Sequence, residues 1–262
     1  MAPTLNPENR PAVLITGASR GIGRAIAHEL GRDHHLILGG RDREALDALA
    51  AELPSAQPFV ADLADPASLA DAVSALGLSS DPADGPDGGA PADGGGALAG
   101  GGGVPGALAG VVHSAGILVS GTVEELTTED WNRSFALNVT AVAELTRLLL
   151  PALRAARGTV VTINSGSGYS SGAGGGAYSA SKFALRALTD ALRAEEKEHG
   201  VRVSSVHPGR TATDMQRELR SYEGGDYQAE DYMRPETVAA TVGLALRLPA
   251  DAAIDSLSVR PR

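Results

Sequence analysis

Apolar positions along the chain switch between two periods. The run AVLIT, Ala12 to Thr16, is short, unbroken and rich in β-branched residues, which predicts a strand buried on both faces. It leads through a glycine turn into GIGRAIAHELG, whose apolar positions recur on one helical face. HLILGG followed by DREALDALAAEL repeats this β-α unit, as does QPFVAD followed by DPASLADAVSAL, where Asp65 and Pro66 read as an N-cap with proline at the first helical position. Further strands are predicted in ALAGVVHSAG, TVVTINS, VRVSSVHP and SLSVR, and helices over Asp130 to Ala156, Gly176 to His199 and Pro235 to Leu248. Strands alternating with helices predict an α/β protein, one domain over residues 1–262, with a doubly wound, mostly parallel seven-stranded sheet covered by helices on both faces.

One stretch breaks the rhythm. Residues 77–106, from GLSSDPADG to GGVPG, are rich in glycine, alanine, proline and aspartate and carry no aromatic or basic residue. Such a segment buries too little apolar surface to order itself and is expected to be a disordered surface insertion. Asp81, Asp84 and Asp87 lack the alternating ligand spacing of a calcium loop.

Composition narrows the function classes. There is no cysteine, and the histidines at 28, 34, 35, 113, 199 and 207 show no metal-ligand spacing, so no metal site is expected. A formal net charge of −10 argues against nucleic acid as a partner. No run of eighteen apolar residues and no signal-like N-terminus stand out, so a cytoplasmic protein without a membrane partner is expected.

Against that acidic background, two groups of residues suggest chemistry. TGASRGIG, Thr16 to Gly23, closes the first β-α unit; Gly17, Gly21 and Gly23 permit a tight turn and close approach of a pyrophosphate to the N-terminus of the next helix. Further on, Tyr178 and Lys182 stand four apart in AYSASKFAL and share a helical face. An ammonium beside a phenol favours the phenolate; lowering a phenol pKa from about 10 to about 7 takes roughly 4 kcal/mol, which the lysine and a cationic cofactor ring together are expected to supply. Ser165, at the end of the preceding strand, places a hydroxyl at the carboxyl edge of the sheet.

Taken together, the chain resembles the short-chain dehydrogenase/reductase family over most of its length. TGASRGIG matches TGxxxGxG, YSASK matches YxxxK, Ser165 stands thirteen residues before Tyr178, Asn138 in ALNVTA matches the family's asparagine, and HPGRTATDM is similar to the segment after the sixth strand. The resemblance implies a Rossmann-type fold and hydride exchange between a nicotinamide cofactor and a carbonyl or secondary alcohol. It implies Tyr178 as acid or base, Lys182 as its electrostatic partner and ribose ligand, Ser165 as a hydrogen-bond donor to the reacting oxygen, and Asn138 as support for a proton-relay water. The implied cofactor contacts are Gly17, Ser19, Arg20, Gly21, Ile22, Gly23, Arg41, Asp62, Leu63, Ala115, Gly116, Tyr178, Lys182, Pro208, Gly209, Thr211 and Thr213. One departure is HSAG, His113 to Gly116, where the family commonly has NNAG; His113 and His207 both read as structural.

Charge selects among cofactors. Arg41 ends the second strand where an adenosine ribose is reached, Asp42 reads as the following N-cap, and Arg20 approaches from the glycine turn, so NADP(H) is expected over NAD(H), with Asp42 or Asp62 as the adenosine ligand should NADH prove preferred. TATDMQRELRSYEGGDYQAEDYMR, Thr211 to Arg234, reads either as a tyrosine- and methionine-bearing lid over an apolar carbonyl compound or as a solvated helical excursion. The helices from Asp130 and Gly176 are apolar on more than one face, which suggests a homodimer or homotetramer. A cofactor-holding redox sensor and a nucleotide-sugar epimerase or dehydratase are the alternative functions, the first disfavoured by an intact Asn138, Ser165, Tyr178 and Lys182, the second by the lack of a further substrate domain.

Overall fold

A computed structural model describes residues 10–78 and 106–262. Seven parallel strands form one sheet in the order β3-β2-β1-β4-β5-β6-β7. Their ranges are β1 Ala12–Thr16, β2 His35–Gly40, β3 Ala56–Val60, β4 Gly110–His113, β5 Thr159–Ile163, β6 Arg202–Pro208 and β7 Ser256–Val259. The crossovers are α1 Gly21–Leu30, α2 Arg43–Ala51, α3 Pro66–Ala75, α4 Thr128–Phe135, α5 Ala141–Ala156, α6 Gly176–Glu196, α7 Asp214–Tyr222 and α8 Pro235–Arg247. The order reverses between β1 and β4, so the crevice at the strands' carboxyl ends opens there, beside the glycine turn.

Each face of the sheet has its own core. Val13, Ile15, Leu36 and Leu38 point to one side and meet α1, α2 and α8 through Ile26, Leu46 and Val242. Leu14, Ile37, Val111 and Val160 point to the other and meet α3, α5 and α6 through Leu69, Leu145 and Leu192. β1 is buried along its whole length, as its unbroken apolar run requires. Asp42 and Asp65 cap α2 and α3 as expected, accepting from Ala45 N–H and Ala67 N–H.

The helix expected over Asp130 to Ala156 differs in detail. It begins earlier, at a Thr127/Asp130 capping box, and five residues, Ala136–Thr140, form a π turn between α4 and α5. By length and composition this run, Thr128–Ala156, is long and apolar enough to cross a membrane. The insertion expected at 77–106 lies outside the described residues except at its two ends.

Candidate active site

The glycine turn is shaped by contacts that leave no room for side chains. Gly17 and Gly21 have positive φ, 65° and 54°. A Cβ on Gly17 would lie 2.9 Å from Ala115 Cα, and one on Gly23 would run into the Gly17 carbonyl. Thr16 ties the turn to the loop after β4, its hydroxyl accepting from Ser114 N–H (3.1 Å) and Ala115 N–H (3.0 Å). Two backbone N–H groups of the HSAG loop are thereby fixed to the end of β1. His113 itself is buried and pairs with the Thr146 hydroxyl at 2.9 Å; burial pushes its pKa down to about 4. It is a neutral structural group, as the sequence suggested.

Asn138 reaches this loop from the π turn. Its Oδ1 accepts from Ile117 N–H (2.9 Å), and its Nδ2 donates to the Ile117 carbonyl (3.0 Å) and to Ser181 Oγ (3.0 Å). The amide is 1% exposed and braces the loop after β4 against α6. It stands behind the cavity wall, so a bridging role to water would run through the backbone that it holds.

Tyr178 and Lys182 share the inner face of α6. Lys182 Nζ donates to the Ile163 carbonyl at the end of β5 (3.0 Å) and lies 5.7 Å from the centre of the Tyr178 ring. Burial lowers its pKa to about 8. Burial also acts on the half-buried Tyr178, pushing the phenol up, while a side-chain hydrogen bond with Ser165 pulls it down. In the protein alone, desolvation wins and Tyr178 is protonated at neutral pH; the lowering expected from Lys182 together with a cationic cofactor ring belongs to the loaded site. Ser165 caps a short 3-10 turn, Gly166–Gly168, and its carbonyl accepts from His207 Nδ1–H at 3.0 Å. With that proton placed, His207 Nε2 accepts from the Ser205 hydroxyl (2.9 Å). His207 thus holds the backbone of Ser165, a link that spacing along the chain does not reveal.

A cavity of about 470 Å³ gathers Ile22, Gly116, Ser165, Tyr178, Lys182, Pro208, Gly209, Thr211 and Thr213. Gly17, Ser19 and Arg20 form the turn next to it, with Arg20 within 3.8 Å of Asp214. Arg41, Asp62 and Leu63 stand at the ends of β2 and β3, outside this cavity but on the same edge of the sheet. Asp62 closes a local turn, accepting from Ala64 N–H (3.0 Å).

The segment Thr211 to Arg234 is an ordered excursion stitched at its base, where Ala212 N–H donates to the Met233 carbonyl (2.8 Å) and Met233 N–H to the Arg210 carbonyl (3.2 Å). Within it α7 brings Met215, Gln216, Leu219 and Tyr222 to the cavity. Tyr227 and Tyr232 instead stack on each other, 5.3 Å between centres, with Arg217 over Tyr227, and Met233 joins the core. The lining residues that sequence reasoning missed include Arg210, held by Glu223, and Asn164 and Arg260, which flank the 3-10 turn.

Comparison with known proteins agrees with this geometry. The family model described as short chain dehydrogenase matches residues 11–81 and 103–224. Serine 3-dehydrogenase of Agrobacterium fabrum is 29% identical over 256 residues, covering 95% of this chain and 93% of that protein. Glycine betaine reductase of Emericella nidulans is 29% identical over 268 residues, but the chain, 98% of it aligned, spans 19% of that protein's length. A metagenomic short-chain oxidoreductase solved in complex with NADP superposes with a TM-score of 0.74 at 27% identity, covering 96% of this chain and 97% of that one.

Proposed function

Because the chain belongs to the short-chain dehydrogenase family, we propose that it is an NADP(H)-dependent oxidoreductase that interconverts a carbonyl compound and a secondary alcohol. The observation that carries this reading is the convergence of Ser165, Tyr178 and Lys182 on one cavity beside a glycine turn that excludes side chains.

The residues present fit a nicotinamide dinucleotide. The turn Gly17 to Gly23 with the N-terminus of α1 would take its pyrophosphate, Arg20 and Arg41 its 2'-phosphate, and Asp62 and Leu63 its adenine end; Ala115, Gly116, Pro208, Gly209, Thr211, Thr213 and Lys182 would hold the nicotinamide half. When bound, the cofactor supplies or accepts the hydride. Ser165 and Tyr178 would hold the reacting oxygen between their hydroxyls. A phenol kept protonated by burial is set to donate its proton as a carbonyl is reduced. Lys182, still mostly charged at pH 7 with a pKa of about 8, would stabilise the phenolate left behind. Asn138 holds the loop after β4 at its working distance from α6.

The test is NADPH oxidation at 340 nm against ketones and aldehydes. Tyr178→Phe removes the transferable proton and keeps the ring, so turnover should fall at least about a hundredfold while NADPH still binds. Tyr169→Phe, whose hydroxyl bonds Ser256 Oγ (3.0 Å), should stay active. Half-retained activity in Tyr178→Phe would sink the mechanism. In the same assay the cofactor assignment predicts a preference for NADPH that Arg41→Ala loses by about ten- to a hundredfold, with the NADH rate unchanged; kcat/KM values favouring NADH in the unmodified protein would overturn it.

A further inference from the structure

We propose that the substrate of this cavity is a carboxylate, an oxo or hydroxy acid whose anionic end is held by Arg260. The proposal rests on the oxidoreductase reading above and names the substrate class. Four charged side chains line the cavity: Lys182, Arg210, Glu223 and Arg260. Lys182 is engaged by the Ile163 carbonyl. Glu223 is claimed by two arginines, pairing with both guanidinium nitrogens of Arg210 and, at 2.7 Å, with Arg220, so neither Arg210 nor Glu223 is available to a ligand. Among the described residues the exposed Arg260 has no carboxylate within ion-pair distance and makes no side-chain hydrogen bond, in a chain with ten more acidic than basic charges.

Its position relates it to the reacting end. A Cβ on Gly209 would sit 3.4 Å from Arg260 Cδ, and one on Gly166 would collide with the guanidinium. Gly166 follows Ser165 directly, so the guanidinium lies over the backbone adjoining the hydroxyl that faces the substrate oxygen. The cofactor's phosphates are not its ligand. Their turn follows β1, whereas Arg260 follows β7, and β4, β5 and β6 intervene, a separation of about 19 Å at ~4.8 Å per strand. Two amide nitrogens of lining residues, Asn164 Nδ2 and Gln216 Nε2, are buried without a hydrogen-bond partner among the described residues. Asn164 Oδ1 accepts from Ser165 N–H at 2.8 Å, which turns its NH2 group the other way. A planar cation at the cavity that has no carboxylate partner suits a carboxylate, which accepts from a guanidinium through both oxygens.

The experiment compares pyruvate, acetoacetate and levulinate with their methyl esters as substrates of the full chain with NADPH. At least one acid should exceed its ester in kcat/KM by tenfold or more. Arg260→Gln should lower kcat/KM on that acid about ten- to a hundredfold, mainly through KM, with the ester and the KM for NADPH unchanged, and Arg260→Lys should recover part of the loss. Arg262→Gln serves as the control. Equal loss on acid and ester, or no loss, overturns the anion site. Esters turned over as well as acids, or turnover of other ketones or aldehydes but of none of these pairs, leave the oxidoreductase reading standing and remove this one; no NADPH oxidation with any ketone or aldehyde by the unmodified protein removes both.

Discussion

Burial drives three titratable groups near the crevice toward neutrality. Lys182 falls to about 8, Tyr178 rises, and His113 falls to about 4. The first two are placed for chemistry, whereas His113 spends its ring on Thr146 and so acts through stability alone. The unfolded chain takes up a proton on this histidine below about 6.5, while the folded protein does not until about pH 4. The unfolded state therefore binds more protons across that window, and stability falls as pH falls through it, by about 3 kcal/mol in total. His113→Gln keeps a donor for Thr146 and cannot titrate. Its unfolding free energy should be close to that of the unmodified protein at pH 7 and exceed it near pH 4.5, with activity retained. Denaturant titrations that run parallel at the two pH values would show that His113 does not set this slope.

Among the elements, those buried on both sides were legible and those shaped by distant partners were not. β1, β2, β6 and α8 appear where short apolar runs or capped amphipathic stretches predict them, because burial against two layers demands that composition. α7 offers no such signal. Its residues are mostly polar and Gln216 is the one buried among them, so either a lid or a solvated excursion fitted the sequence. The π turn at Ala136–Thr140 was equally hidden, since one extra residue in a helical turn leaves the hydrophobic period nearly intact while re-aiming Asn138 at Ile117. Within the site, Ser165, Tyr178 and Lys182 could be found because they sit at fixed offsets on β5 and α6. Arg260 and His207 could not, because they meet Ser165 only through the pairing of β5, β6 and β7. The phenol's desolvation was not legible either, for the spacing shows a neighbouring ammonium and not how deeply the ring is buried.

For the whole molecule, the question is what meets the part-buried outer side of α4, α5 and α6, where Phe183 is the exposed large apolar residue among the described ones. The run Thr128–Ala156 has a mean hydropathy of 1.3 over its most apolar window, yet only 44% of that window is buried within the chain. A membrane is a poor cover for it, because Glu144 and Arg147 sit within the run and Leu145 and Leu149 already face the sheet. On α6 the inner face carries Lys182 while Phe183, the next residue, turns outward and is 38% exposed. A second copy of the chain covers such a surface at the least cost, since the same face on both partners is self-complementary about a two-fold axis. It would also brace the helix that carries Tyr178 and Lys182 from outside. We therefore expect a homodimer or homotetramer at micromolar concentration, and light scattering should return a multiple of the 26.6 kDa chain mass. Phe183→Glu places a charge in the middle of that face and should shift the mass toward the monomer, because a buried carboxylate without a partner costs several kcal/mol. A monomeric mass for the unmodified protein would mean that these helices meet solvent bare. Multimers that survive Phe183→Glu undiminished would move the interface to another face.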